Sequence, residues 1–374
     1  MTPFLEKSGD RPTESRLSSV SVHERPDTIY LNINSNPRQE KQPMRLLSLL
    51  KKHSKAIGVS FFLAAIGFGQ SAARADTGVD AAIKPYAKVS GVEGNLNSIG
   101  SDTLNNLMTY WVEAFAKLYP NVKIQVEGKG SATAPPALAA GTAQLGPMSR
   151  KMKPEEEDAF EKKYGYKPTR ISVALDCLAI YVHKDNPVKG LTMAQADCIF
   201  SKTRKSGYQD ISQWGQTGLE DDWATKPISL YGRNSASGTY AYFKEHVLLK
   251  GDYKDTVKEQ PGSAAVVNGV AGDRAGVGYS GIGYRTSEVR AIPLAKDEKS
   301  PLVEPSFENA LKGSYPLGRT LYIYIAKKPG QPAPKLVEEF LTFVLSQEGQ
   351  QVVQKDGYGP LPAKVVAKQL ELLK

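Results

Sequence analysis

Cysteine is nearly absent: Cys177 and Cys198 are the only two in 374 residues. That excludes a disulfide-rich scaffold and a four-cysteine zinc site, and leaves room for one bridge at most. Histidine is scarce too. Of four, only His183 and His246 lie beyond the first 75 residues, and with no nucleophile-elbow motif a Ser-His-Asp hydrolase has little local support. No HExxH, CxxC or calcium-loop pattern occurs, and Gly128-Lys129-Gly130-Ser131 lacks the spacing of a nucleotide P-loop, so no metal or other cofactor is implied. Long apolar runs are missing except for Ala56 to Gly69, which excludes a multispanning membrane protein. No fixed repeat is visible. What remains, 40% hydrophobic and 23% charged residues, is enough to bury cores, and the length suggests two domains.

The net charge of +9 is unevenly spread. Residues 1–43 are polar, mixed in charge and without helix or strand period, and they read as an extension ahead of the real start at Met44. Arg45, Lys51, Lys52 and Lys55 then precede the apolar run, and Ala73-Arg74-Ala75 closes it, the order of a secretory signal peptide over 44–75 with cleavage before Asp76. The run is short for a permanent anchor. Removing residues 1–75 takes away 11 of 48 basic and 6 of 39 acidic residues, so the charge falls to +4. That mild excess, without a long basic run, speaks against nucleic-acid binding. No cysteine follows the apolar run to carry a lipid. The sequence predicts a soluble exported protein, periplasmic in a two-membrane host, with no membrane anchor.

From Asp76 onward strands and helices alternate, which makes the class α/β. Asn95–Gly100 reads as a strand entering Ser101-Asp102-Thr103, and Leu104, Leu107, Met108, Trp111, Val112 and Phe115 mark a helix face closed by Pro120, with Trp111 and Phe115 expected in the core. Val122, Ile124 and Val126 form a strand leading to Gly128-Lys129-Gly130-Ser131. A third strand is expected over 143–147, followed by Ser149-Arg150 and a helix opened by Pro154 and three glutamates. Ile171–His183 is a nearly unbroken apolar strand interrupted by Asp176, fit to run between two lobes. Strand 227–231 ends at Gly232-Arg233-Asn234-Ser235-Ala236-Ser237-Gly238-Thr239, ahead of another helix. Later elements include a helix over 263–270, strands over 276–283, 289–294 and 321–325, and helices over 336–345 and 348–354.

The turns repeat one chemistry. Ser101 and Thr103, Ser131, Ser149 and Arg150, and Arg233 with Ser235, Ser237, Gly238 and Thr239 all sit where a strand meets a helix N-terminus. Such termini present free backbone N–H groups and partial positive charge, hydroxyls add short hydrogen bonds, and an arginine can grip a tetrahedral anion bidentately. Each hydroxyl alone could be a helix cap. Four turns of one kind describe an oxyanion site.

These segments, with Gly146-Pro147-Met148-Ser149-Arg150, Gly276-Val277-Gly278-Tyr279 and Tyr315-Pro316-Leu317-Gly318-Arg319, resemble in order the phosphate-binding proteins that serve bacterial phosphate ABC transporters. The resemblance runs from about Gly94 to about Pro362. It implies a type II periplasmic-binding-protein fold, two lobes joined by two crossing strands with a ligand cleft between them: 76–174 plus 315–374 as lobe 1, 175–314 as lobe 2. It also implies a binding protein rather than an enzyme, a monomer that captures inorganic phosphate and delivers it to the membrane permease. Thr103 and Leu104 would supply the first turn, Ser131 the second, Ser149 the third, and Arg233, Ser237, Gly238 and Thr239 the opposite lobe. Where better-known members carry aspartates, this chain has Ser149 and Ser235.

Phosphate keeps a proton near neutral pH and sulfate does not, so an acceptor carboxylate favours phosphate. Asp102 and Asp176 are the candidates here. Sulfate, or a phosphate ester undergoing hydrolysis on the same clamp, are the alternative ligands. Cys177 and Cys198 share a predicted lobe in a chain bound for an oxidising compartment, and a bridge between them is expected.

Overall fold

The computed structural model describes residues 78–374; the extension at 1–43 and the signal peptide at 44–75 lie outside the described residues. β1 (Gly94–Ile99), α1 (Asn105–Leu118), β2 (Val122–Glu127), α2 (Ala134–Ala140), β3 (Gly146–Met148) and α3 (Pro154–Tyr164) alternate along the first segment. After β4 (Thr169–His183) come β5 (Leu191–Thr192), α4 (Met193–Phe200), β6 (Ser229–Arg233), α5 (Gly238–His246), β7 (Lys258–Gln260), α6 (Ser263–Ala271), β8 (Gly276–Gly281), β9 (Val289–Ala291), β10 (Leu294–Ala295) and α7 (Phe307–Leu311). β11 (Gly318–Ile325) then returns the chain to α8 (Lys335–Val344), α9 (Gln347–Lys355) and α10 (Ala363–Glu371).

Local chemistry explains most boundaries. The α1 stripe Leu107, Met108, Trp111 and Phe115 is wholly buried, and the Trp111 indole nitrogen donates to Gly349 O at 2.8 Å. α3 opens on Pro154 with Glu155, Glu156 and Glu157 in its first turn, favourable to the helix dipole, and ends at Gly165 with φ of 77°. The first helix begins one turn later than its apolar stripe suggests, because Asp102–Leu104 form a 3-10 turn first. The third strand is displaced to Gly146–Met148: Leu145 is held by the edge of β1, accepting from Ile99 N at 3.1 Å. The expected strand over 289–294 is two, since Pro293 has no N–H to continue a ladder. α10 was not anticipated.

One sheet, ordered β3-β11-β4-β8-β6-β7 with β9 also on β4, runs through the molecule. β4 changes partners along its length. From Thr169 to Cys177 it pairs antiparallel with β11, and from Leu178 to Val182 with β8. The same change divides the apolar interior: Ile171, Val173, Ala174, Leu321 and Ile323 pack with α1 and α8 in one core, whereas Cys177, Leu178, Ile180, Leu317 and Phe243 belong to a second. Asp176 and Arg319 are cross-strand partners on β4 and β11 at the boundary.

Candidate functional site

Three turns of the first half are laced together by their own backbones. Ser101 N donates to Pro147 O at 2.7 Å, Gly130 N to Gly100 O at 2.8 Å, and Ser149 N to the Ser131 hydroxyl at 3.1 Å. Tyr284 and Tyr358 brace the first turn, donating to Asp102 O at 2.7 Å and Thr103 O at 2.8 Å. Thr103, Ser131 and Ser149 are thereby brought together and fully buried.

The second half meets them with the N-terminus of α5. Ser237 caps this helix, its hydroxyl accepting from Thr239 N at 3.1 Å and Tyr240 N at 3.3 Å. Gly238 lies directly against Ser131 and Ser149, where any Cβ would overlap the Ser131 hydroxyl. Gly130, at φ 113°, is equally constrained, since a Cβ there would come within 2.6 Å of Ala236 O. The Thr103 and Thr239 hydroxyls are 2.8 Å apart, and Ala132 N donates to Ala236 O at 3.1 Å. The hydroxyls of both halves thus converge at a helix N-terminus, a place suited to an oxyanion.

Two ion pairs flank the cluster, one with a half-buried carboxylate and one buried on both sides. Arg233 Nη1 lies 3.2 Å from Asp102 Oδ2 and donates to the Ser263 hydroxyl at 2.7 Å, while Nη2 donates to Pro261 O at 3.1 Å. Asp102 Oδ2 also accepts from Ser263 N, at the start of α6, at 2.7 Å. Burial pulls the Arg233 guanidinium below its ordinary pKa, and Asp102 opposes that shift. At the strand crossing, Arg319 Nε and Nη2 hold Asp176 Oδ2 at 2.8 and 2.7 Å, and Asp176 Oδ1 accepts from Ile282 N at 3.1 Å.

Of the residues singled out from sequence, Thr103, Ser131, Ser149, Ser237, Gly238 and Thr239 meet in one place, with Ser101 buried beside them. The Leu104 side chain lies in the first core, and its N–H closes the turn on Ser101 O at 3.2 Å. Four expectations need correction. Arg150 turns away to a bidentate pair with Glu156 at 2.7 and 2.6 Å, because α3 opens with that carboxylate beside it. Ser235 is exposed on its turn, leaving Ser237 as the buried hydroxyl. Asp176 is completely buried, with Oδ1 held by Ile282 N and Oδ2 by Arg319, which makes it the arginine's partner rather than a free acceptor. Cys177 and Cys198 share the second core but are free thiols: Cys177 is fixed on β4, and Cys198 Sγ faces the Ser206 hydroxyl at 3.5 Å. Sequence reasoning passed over Arg319, although it is the lone charge on an apolar strand and Asp176 is the lone acid on its neighbour.

A sheet traversed by β4 and β11, a core on either side and converging turns between them define a type II periplasmic-binding-protein fold, the two-lobed class that encloses a solute in an interlobe cleft. The model of the PBP superfamily domain matches residues 75–348, and the chain belongs to that family. It is 58% identical over 309 residues to the phosphate-binding protein PstS of Pseudomonas aeruginosa, covering 82% of this chain and 96% of that one. The phosphate-binding protein PstS of Staphylococcus epidermidis is 31% identical over 287 residues, 76% of this chain and 84% of its own. Among solved structures, an ABC-type phosphate transport receptor from Vibrio cholerae superposes with a TM-score of 0.56 at 25% identity, over 71% of this chain and 100% of that one. A Clostridium perfringens protein solved with bound phosphate gives a TM-score of 0.61 at 26% identity, over 72% and 100%.

Proposed function

We propose that this chain is the receptor that captures inorganic phosphate between its lobes and delivers it to the membrane permease of an ABC transporter. The observation that carries the reading is the convergence of Thr103, Ser131 and Ser149 with Ser237, Gly238 and Thr239 at the start of α5. Binding proteins of this kind hold their ligand through oriented donors. The identity with phosphate-binding PstS proteins gives the ligand, and the bound phosphate in a structural neighbour supports it. Lobe 1 would comprise 76–174 and 315–374 and lobe 2 175–314, a division in keeping with the two larger apolar cores. The protein would act as a periplasmic monomer after cleavage before Asp76. No helix among the described residues is long and apolar enough to cross a membrane.

The same donors favour a second reading, sulfate, because the Asp176 oxygens are occupied and Asp102 is held by Arg233 and Ser263 N. Hydrolysis has less support: His246 sits at the far end of α5 from Gly238, stacked on Tyr242. Calorimetric titration of phosphate and of sulfate into the exported protein, freed of endogenous anion and run beside a phosphatase assay, decides among them. Phosphate binding without ester turnover is expected; sulfate alone binding, or turnover, would overturn the reading. The intact mass of the exported protein should match a chain beginning at Asp76.

A further inference from the structure

Arg319 lies outside the turns from which the anion site was read. Among the described residues, Arg233 and Arg319 are the two buried arginines, and they face different partners. The terminal nitrogens of Arg233 go to Asp102, Ser263 and Pro261 rather than to the clustered hydroxyls. Arg319 Nη2 donates to the Thr239 hydroxyl at 3.0 Å, and Nη1 donates to Ser149 O at 3.2 Å. One guanidinium therefore touches an anion turn of each lobe. The Tyr242 ring covers its face, with Cζ 5.3 Å from the ring centre, and Asp176 holds the remaining edge.

We propose that Arg319 is a phosphate-site residue, orienting Thr239 as a donor and supplying positive charge at the base of the cleft, with Asp176 as its fixed counter-ion. The inference rests on the phosphate reading above. A guanidinium can only donate, so Thr239 Oγ1 accepts from it and directs its own proton away, to Thr103 Oγ1 or to an anion oxygen. Two other hydroxyls are polarised alike: Ser131 Oγ accepts from Ser149 N, and Ser237 Oγ accepts from two α5 amides. The protons of all three are free to turn toward a ligand. Asp176, bound to Nε and to the same Nη2 that reaches Thr239, keeps the guanidinium in one orientation and balances its charge.

The test is phosphate affinity by calorimetry, read beside the melting temperature of the phosphate-free exported protein. Arg319→Lys keeps one charge against Asp176 and loses the planar fork that reaches Ser149 and Thr239. The double variant Asp176→Asn/Arg319→Met removes both charges together, so no buried ion is stranded and folding is spared. Both variants should bind phosphate at least about tenfold more weakly, a change of about 1.4 kcal/mol, with the double variant melting close to the wild type. Wild-type affinity in either folded variant would overturn the proposal and leave the pair as a clamp between strands. A wild-type chain that binds no phosphate would instead sink the functional reading itself.

Discussion

Thr103 and Thr239, 136 residues apart in the chain, share a hydrogen bond of 2.8 Å between their hydroxyls, one from each side of the cleft. Each can turn its proton to an anion, and hydrogen bonds to a charged partner contribute about 1.5–3 kcal/mol. Thr239→Val should therefore weaken phosphate binding by about 10- to 100-fold in calorimetry. An affinity unchanged by this near-isosteric replacement would place the anion elsewhere.

Gly238→Ala tests the approach of the lobes. Its methyl group would overlap the Ser131 and Ser149 hydroxyls and come within 2.9 Å of Ser131 Cβ, so the hydroxyls must rotate out of place and the two turns move apart. Small-angle scattering at saturating phosphate should thus report a more open molecule than the wild type, with affinity at least about tenfold lower. A variant that closes and binds normally would contradict the contact.

Asp356 gives a pH signature unrelated to the ligand. Burial raises its carboxyl from an ordinary 3.8 to about 7, and Oδ2 has no protein partner. The folded chain thus binds a proton between those values that the unfolded chain has released, so stability falls as pH rises from about 4 to about 7 and is flat above. Asp356→Asn should remove this slope and raise the melting temperature at pH 8 by about 2 °C or more. Parallel melting curves against pH for the two proteins would show that Asp356 carries no such charge.

Thiol chemistry checks the two cysteines. Titration of denatured, unreduced protein should find both free. In the native state Cys177 should react slowly, because burial, aided by the charge of Asp176, pushes its thiol up to about 12. Finding no thiol in the denatured chain would restore the bridge that the structure lacks.

The strand-and-helix alternation was legible because apolar spacing acts locally, as the buried stripe of α1 and the apolar length of β4 show. The site was legible in part, since hydroxyls before a helix start are useful only in a few roles. What decided between Ser235 and Ser237 was the rotation of the chain within a single turn, which composition does not encode. Arg150 was misassigned because its partner, Glu156, was read only as a residue favourable to the helix start, and both roles coexist. The Asp176–Arg319 pair left a trace: the one acid within the apolar length of β4 and the one charge on β11 must find each other or remain uncompensated. Their separation of 143 positions hid the match.

The two cores also differ in when they can be completed. The second is built from one uninterrupted stretch, Cys177 to Leu317, whereas the first needs Leu96 and Trp111 together with Leu321, Phe340 and Val366. During synthesis, the later-beginning core has all its residues available first. The other must hold its early strands and α1 without their packing partners until the last helices emerge. If the chain is exported unfolded, as proposed above, that waiting segment is the one a holding chaperone would have to cover, and its exposed surface is the apolar stripe of α1.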